Sequence, residues 1–135
     1  MTTQTAFTFG TRLTGSVADV RPRVEAALKA EGFGILTEID VQATLKAKLE
    51  VDRPPFVILG ACNPALAHRA LESDPSVGAL LPCNIVLRAD GDATIVEAMD
   101  PLAVLAIVEN PGIRAIAEDA RARLERAVSA LGDRS

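Results

Sequence analysis

Chemistry in this sequence concentrates at two Cys-Asn dipeptides. One stands in Leu59-Gly60-Ala61-Cys62-Asn63-Pro64, the other in Leu80-Leu81-Pro82-Cys83-Asn84-Ile85, and together they hold both cysteines of the chain. Each lies where an apolar run meets a turn signal. Asn63 is suited to cap a helix that Pro64 opens, which sets Cys62 just before a helix N-terminus. Unpaired amides and the positive end of the dipole there can lower a thiol pKa, making Cys62 a candidate nucleophile, redox centre or metal ligand. The plain alternative is a small buried residue closing a strand, since free cysteine is among the most buried residue types.

Other groups add to this candidate site with less specificity. His68, the single histidine, falls on the helix after Cys62, four residues past Pro64 and on the same helical face. A Cys62, Cys83, His68 set would suit zinc, or Cu(I) in a soft site of low coordination, yet the spacing matches no paired C-x₂-C pattern. The amides of Asn63 and Asn84 could orient a ligand or an anion; as structural groups they would cap a helix and a strand end. Asp40 reads as an N-cap. With Glu38 it forms a pair of carboxylates two apart on a strand-like segment, a spacing open to acid–base work or to plain solvation. Lys46, Lys48 and Arg53 make a modest basic spot. Gly32-Phe33-Gly34 lacks the third glycine of a dinucleotide loop, and no nucleophile elbow accompanies the histidine.

The elements that must position these residues follow from periodicity. Thr5 to Thr14 alternates as a strand. Ser16 starts a helix with Pro22 in its first turn, Val17, Val20, Val24, Ala27 and Leu28 on one face, and Gly32 as the stop. Phe33 to Ile39 reads as a strand, Val41 to Leu49 as a helix after Asp40, and Phe56 to Leu59 as a buried strand. A short helix runs from Pro64 to about Leu71, and Ser73 to Ser76 makes a turn. Asp90-Gly91 joins Asn84–Ala89 to Ala93–Met99 as a hairpin. Asp100-Pro101 and Asn110-Pro111 each open a helix. The last helix carries Ile113, Ile116, Ala117, Ala120, Leu124, Val128 and Leu131 on one face, with charge pairs opposite.

Cys62 leaves the end of one strand and Cys83 enters the start of another. If those strands are antiparallel neighbours, the thiols share one edge of the sheet; if parallel, they lie at opposite ends. Glu72 to Pro82 can span roughly 35 Å extended, which is enough for the return.

Composition narrows the classes. The 135 residues form one domain, 1–135, with an aliphatic core: there are four phenylalanines and no tryptophan or tyrosine. A net charge of −4 and the lack of a stacking platform argue against nucleic acid. No apolar run approaches the ~20 residues of a membrane span, and the N-terminus lacks a secretory pattern. The expected compartment is the cytoplasm, with the cysteines held as thiols.

Taken in order, Gly32-Phe33-Gly34-Ile35-Leu36-Thr37-Glu38-Ile39-Asp40-Val41, the Cys62 motif and the Leu81-Pro82-Cys83-Asn84 motif resemble the bacterial and archaeal domain of unknown function 302 family, over about residues 5–131. The resemblance implies a small α+β fold with a mainly antiparallel sheet and long N- and C-terminal helices packed on it, similar to the TATA-binding-protein-like class. It also implies a homodimer, a state that the positive mean hydropathy of +0.25 and the uncharged run from Val77 to Val86 favour. It directs attention to Asp40, Cys62, Asn63, Cys83 and Asn84, and to His68. It supplies no mechanism and no cofactor.

Three functional readings remain. The first is a small-ligand-binding or sensory module with a pocket near Cys62 and Cys83. The second is a thiol-based redox or metal-handling protein using the same pair. The third is a non-catalytic interaction domain whose cysteines are core residues.

Overall fold

In the computed structural model, which describes residues 2–132, local signals place most of the elements. Ser16 and Asp19 form a reciprocal capping box that starts α1 (Val17–Ala30), and Gly32 follows its end with φ +86°, where glycine avoids the left-handed penalty. Pro22 is the sixth helical residue rather than a first-turn one; its ring removes the bond that an N–H there would give to Ala18. The neighbouring turns persist because Val17, Val20, Val24 and Leu28 are buried, each such side chain contributing about 1.5–3 kcal/mol.

Six strands form one antiparallel sheet. Their order is β1 (Thr2–Gln4), β2 (Thr8–Thr14), β6 (Ala93–Met99), β5 (Cys83–Asp90), β4 (Phe56–Cys62) and β3 (Gly34–Asp40). The expected hairpin is present, with Asp90 opposite Ala93 and Gly91 at φ +62°. The expected Thr5–Thr14 strand instead begins at Thr8. The Thr5 hydroxyl accepts from the Phe7 and Thr8 amides and turns the chain into β1, which pairs with β2. That turn rests on a side-chain hydroxyl, which alternation of apolar residues does not report.

The remaining helices are α2 (Val41–Leu49), α3 (Pro64–Ser73), α4 (Pro101–Leu105) and α5 (Pro111–Gly132). The expected turn after Ser73 continues as a 3₁₀ segment, Pro75–Leu80, started by Asp74 accepting from the Ser76 amide. The long helices α1 and α5 cover one face of the sheet. There Leu13, Leu59, Ile85, Leu87 and Val96 pack with Val20, Val24, Leu28 and Leu124. A second apolar cluster lies beside this core, built by Leu66 and Ala70 of α3, Val77, Leu105 of α4, and Ile113, Ile116, Ala117 and Ala120 of α5. The apolar face of α5 therefore serves both clusters, its first half one and its second half the other. The fold is α+β, as the sequence leads one to expect.

Arg121 ties the two ends of this arrangement together. It pairs with Asp100 at 2.5 Å, lies 4.9 Å from the centre of the Phe9 ring, and holds Glu125 at 2.6 Å. Asp100 meanwhile accepts from the Leu102 amide at 2.9 Å and starts α4.

Candidate functional site

The pairing of β4 with β5 decides whether the two cysteines meet. These strands are antiparallel neighbours, and Ala61 stands opposite Cys83. Cys62 and Cys83 consequently sit at the same end of the sheet, at the two ends of the segment 63–82 that leaves β4 and returns as β5. That segment contains α3 and the 3₁₀ turn, and it arches over a cavity of about 320 Å³ that both cysteines line.

The cavity lies along the seam between the two apolar clusters. Phe33, Ala61 and Cys83 come from the sheet-side core. Leu66 and Ala70 of α3, Leu105 of α4, and Ile116 and Ala120 of α5 come from the other cluster. Ala67, Gly78, Leu81, Pro82 and Pro101 complete most of the wall. Two lining residues, Leu36 and Leu71, are 67% and 41% exposed and so mark the mouth. Leu36 reaches that position through a bulge: the register shifts between Ile35 and Thr37, so Leu36 has no partner on β4. Such an extra residue bends its strand and redirects a side chain. Among the described residues, no charged side chain lines the cavity.

Gly60 permits the close approach at this sheet end. A Cβ there would collide with the Thr37 hydroxyl and lie 2.7 Å from Pro82 Cγ. Pro82 can thus lean on β4 just before the chain enters β5.

Both thiols are free. Cys83 is 7% exposed, and burial pushes its pKa up to about 11, with the nearby Cys62 acting in the same direction. Burial also raises Cys62. The lowered thiol pKa expected beside a helix N-terminus is not found. The first turn of α3 is already served by the Asn63 side chain, which accepts from the Leu66 amide at 3.2 Å, and removal from water disfavours the thiolate.

The other expected site residues are spread more widely. Asn63 lines the cavity, but its amide is engaged: besides capping α3 it donates to the Glu31 carbonyl at 3.5 Å, joining α3 to the end of α1. Asn84 stands opposite Gly60 and is exposed. His68 is exposed on α3 and is not part of the lining. Asp40 pairs with Val57, five residues along β4 from Cys62, or roughly 17 Å at strand spacing. It caps α2 by accepting from the Ala43 amide. Glu38 is held by Arg21, whose hydrogen bond lowers its pKa. Lys46 pairs with Asp52, and Arg53 stacks over Phe56. Among the described residues no group of three or more His, Cys, Asp or Glu side chains is gathered to hold a metal ion.

Leu36, Leu66, Leu71, Leu105, Ile116 and Ala120 were not legible as cavity residues. They read as ordinary members of apolar faces, and only the packing of α3 against α5 leaves a gap between them. A second groove, about 400 Å³, lies between α4 and the start of α5 and is lined in part by Glu109 and Arg114. It gathers none of the residues that carry chemistry.

The profile of the family described as Domain of unknown function DUF302 matches residues 9–131. The chain belongs to this family. A crystal structure of an uncharacterized conserved DUF302 protein from Bacillus stearothermophilus is similar throughout, with a TM-score of 0.85 and 30% sequence identity. The match covers 93% of this chain and 98% of that one. Among curated proteins, none matches this sequence. No helix among the described residues is long and apolar enough to cross a membrane.

Proposed function

We propose that this chain is a small-molecule-binding module whose site is the cavity under residues 63–82. One observation carries the reading: the two cysteines, far apart in sequence, line one cavity of about 320 Å³ at the seam of two separately packed clusters. A cleft of this size lined by apolar side chains leaves them short of packing contacts, and occupancy by a ligand would supply those contacts. The volume falls within the usual range of small-molecule sites.

The redox and metal-handling readings have less support. Both thiols are biased toward the protonated form, whereas a reactive cysteine needs its thiolate. The third donor suggested by the sequence, His68, lies outside the lining. Native mass spectrometry of the purified protein tests the binding reading. A bound small molecule that is lost on Ala67→Leu supports it; an unliganded protein that also takes up no added small molecule overturns it.

We further propose that the protein assembles as a homodimer through the sheet face opposite α1 and α5. Phe56, Ile58, Val86 and Ile95 lie on that face half-buried, and Ile39 is 49% exposed. Light scattering that returned a mass near 14.2 kDa at micromolar concentration would overturn this assembly.

A further inference from the structure

Within the binding reading above, on which this step rests, we infer that the cavity takes an uncharged, apolar molecule of about twelve carbon atoms. The size follows from volume. An apolar cavity of about 150 Å³ holds one benzene molecule, and this one is about 320 Å³. The polarity follows from the wall, which has no charged side chain among the described residues. A ligand carboxylate or ammonium inside would give up its hydration without gaining a counter-charge, and apolar contacts do not offset that loss.

Arg123, which shares the Glu31 carbonyl with Asn63, is already committed. It pairs with Asp119 at 2.8 Å and donates to the Glu31 carbonyl at 3.3 Å. The side-chain amide in the described lining, that of Asn63, is held in place by accepting from the Leu66 amide and donating to the Glu31 carbonyl. Among the described lining side chains, the two thiols are left to meet a polar group, and each is a weak donor and weak acceptor. The way in has the same character. Leu36 and Leu71 stand at the mouth with no charged side chain of the described residues between them and the interior, so a ligand passes from water directly onto apolar surface. A neutral hydrocarbon chain with one weakly polar end, such as an alcohol, meets all of these conditions; a charged head group drawn inside finds no counter-charge among the described lining residues.

The test titrates the 135-residue chain carrying ¹³C-labelled methyl groups with three series of matched chain length: n-alkanols, n-alkanoates and n-alkylammonium ions, from about six to about twelve carbons. The methyls of Leu36, Leu66, Leu71 and Ile116 report occupancy. Expected are alkanol-induced shifts at these methyls, with affinity rising about fourfold per added methylene and both charged series at least tenfold weaker at equal length. Two variants narrow the cavity. Ala67→Leu should weaken alkanol binding at least tenfold. Gly78→Ala, whose new Cβ would make an ordinary 3.6 Å contact with Leu71 Cδ2, folds without strain and should weaken the longest chain most. If alkanoates or alkylammonium ions bind as well as alkanols at the same methyls, the ligand class is overturned while the cavity remains a binding site. If no series moves these methyls, both the class and the binding reading fall. Alkanol binding that neither variant weakens would place the ligand elsewhere and overturn the inference.

Discussion

Alkaline pH should destabilise this protein through Cys83, and the effect can be worked from the structure. Burial raises the Cys83 pKa from the ordinary 9.0 to about 11. Between those values the folded chain keeps a proton that the unfolded chain has released. Because the folded state then binds more protons, stability falls as pH rises. The contribution is fully present below about pH 9 and lost as pH passes about 11. Two pKa units correspond to about 2–3 kcal/mol, a large share of the 5–15 kcal/mol typical of a small domain. Urea unfolding followed by circular dichroism at successive pH values measures this in the native chain and in Cys83→Ala. The variant loses some stability at every pH because a buried side chain is truncated, but it lacks the added alkaline slope. The two stability curves should therefore converge by about 2–3 kcal/mol as pH rises from about 8 to about 11. Groups common to both chains and not linked to Cys83 cancel in the difference. The absence of tyrosine also lets ultraviolet thiolate absorption be followed directly. Curves that stay parallel over the whole window would refute the claim that Cys83 is kept protonated by burial.

Other perturbations have equally definite outcomes. Thiol labelling of the native protein should modify half-buried Cys62 first and leave Cys83 silent until unfolding; equal rates at both would contradict the packing of Cys83. Arg121→Ala should cost about 2–4 kcal/mol in chemical denaturation, because it leaves the Asp100 carboxylate without its partner and uncovers Phe9; a loss below about 0.5 kcal/mol would reduce the pair to a surface contact. Gly60→Ala should cost about 1–3 kcal/mol by overpacking against the Thr37 hydroxyl and Pro82, and Thr37→Gly in the same chain should restore part of the loss; no recovery would mean that the clash lies elsewhere. Asn63→Ala should lower stability by about 1–2 kcal/mol through loss of the α3 cap, which thermal unfolding would show as a lower midpoint.

The local elements were largely legible because their causes are local. Ser16, Asp40, Asn63 and Asp100 each place an acceptor where unpaired helix amides need one, and Gly91 supplies the positive φ that the β5–β6 turn requires. The apolar stripe of α5 is likewise written in residue spacing. The family signal rests on three short motifs read in order, and the profile match over residues 9–131 agrees with it.

The candidate site was legible only as a question. The sequence marked Cys62 and Cys83 as strand-end residues, but left parallel and antiparallel arrangements open. Strand pairing is a long-range choice, settled by which faces bury together, and the Ala61–Cys83 register made it. The same packing removed His68 and Asp40 from the cavity, since helix rotation and strand direction put one on an exposed face and the other far along β3. It also decided the protonation of the thiols. A helix N-terminus argues for a lowered pKa from sequence alone, whereas burial argues for a raised one, and burial exists only once α3, α4 and α5 close over the sheet end. The residue types that could do chemistry were thus set by the sequence. Their environment, an apolar cavity at the seam of two cores, was set by tertiary structure, because desolvation depends on neighbours that are distant in the chain.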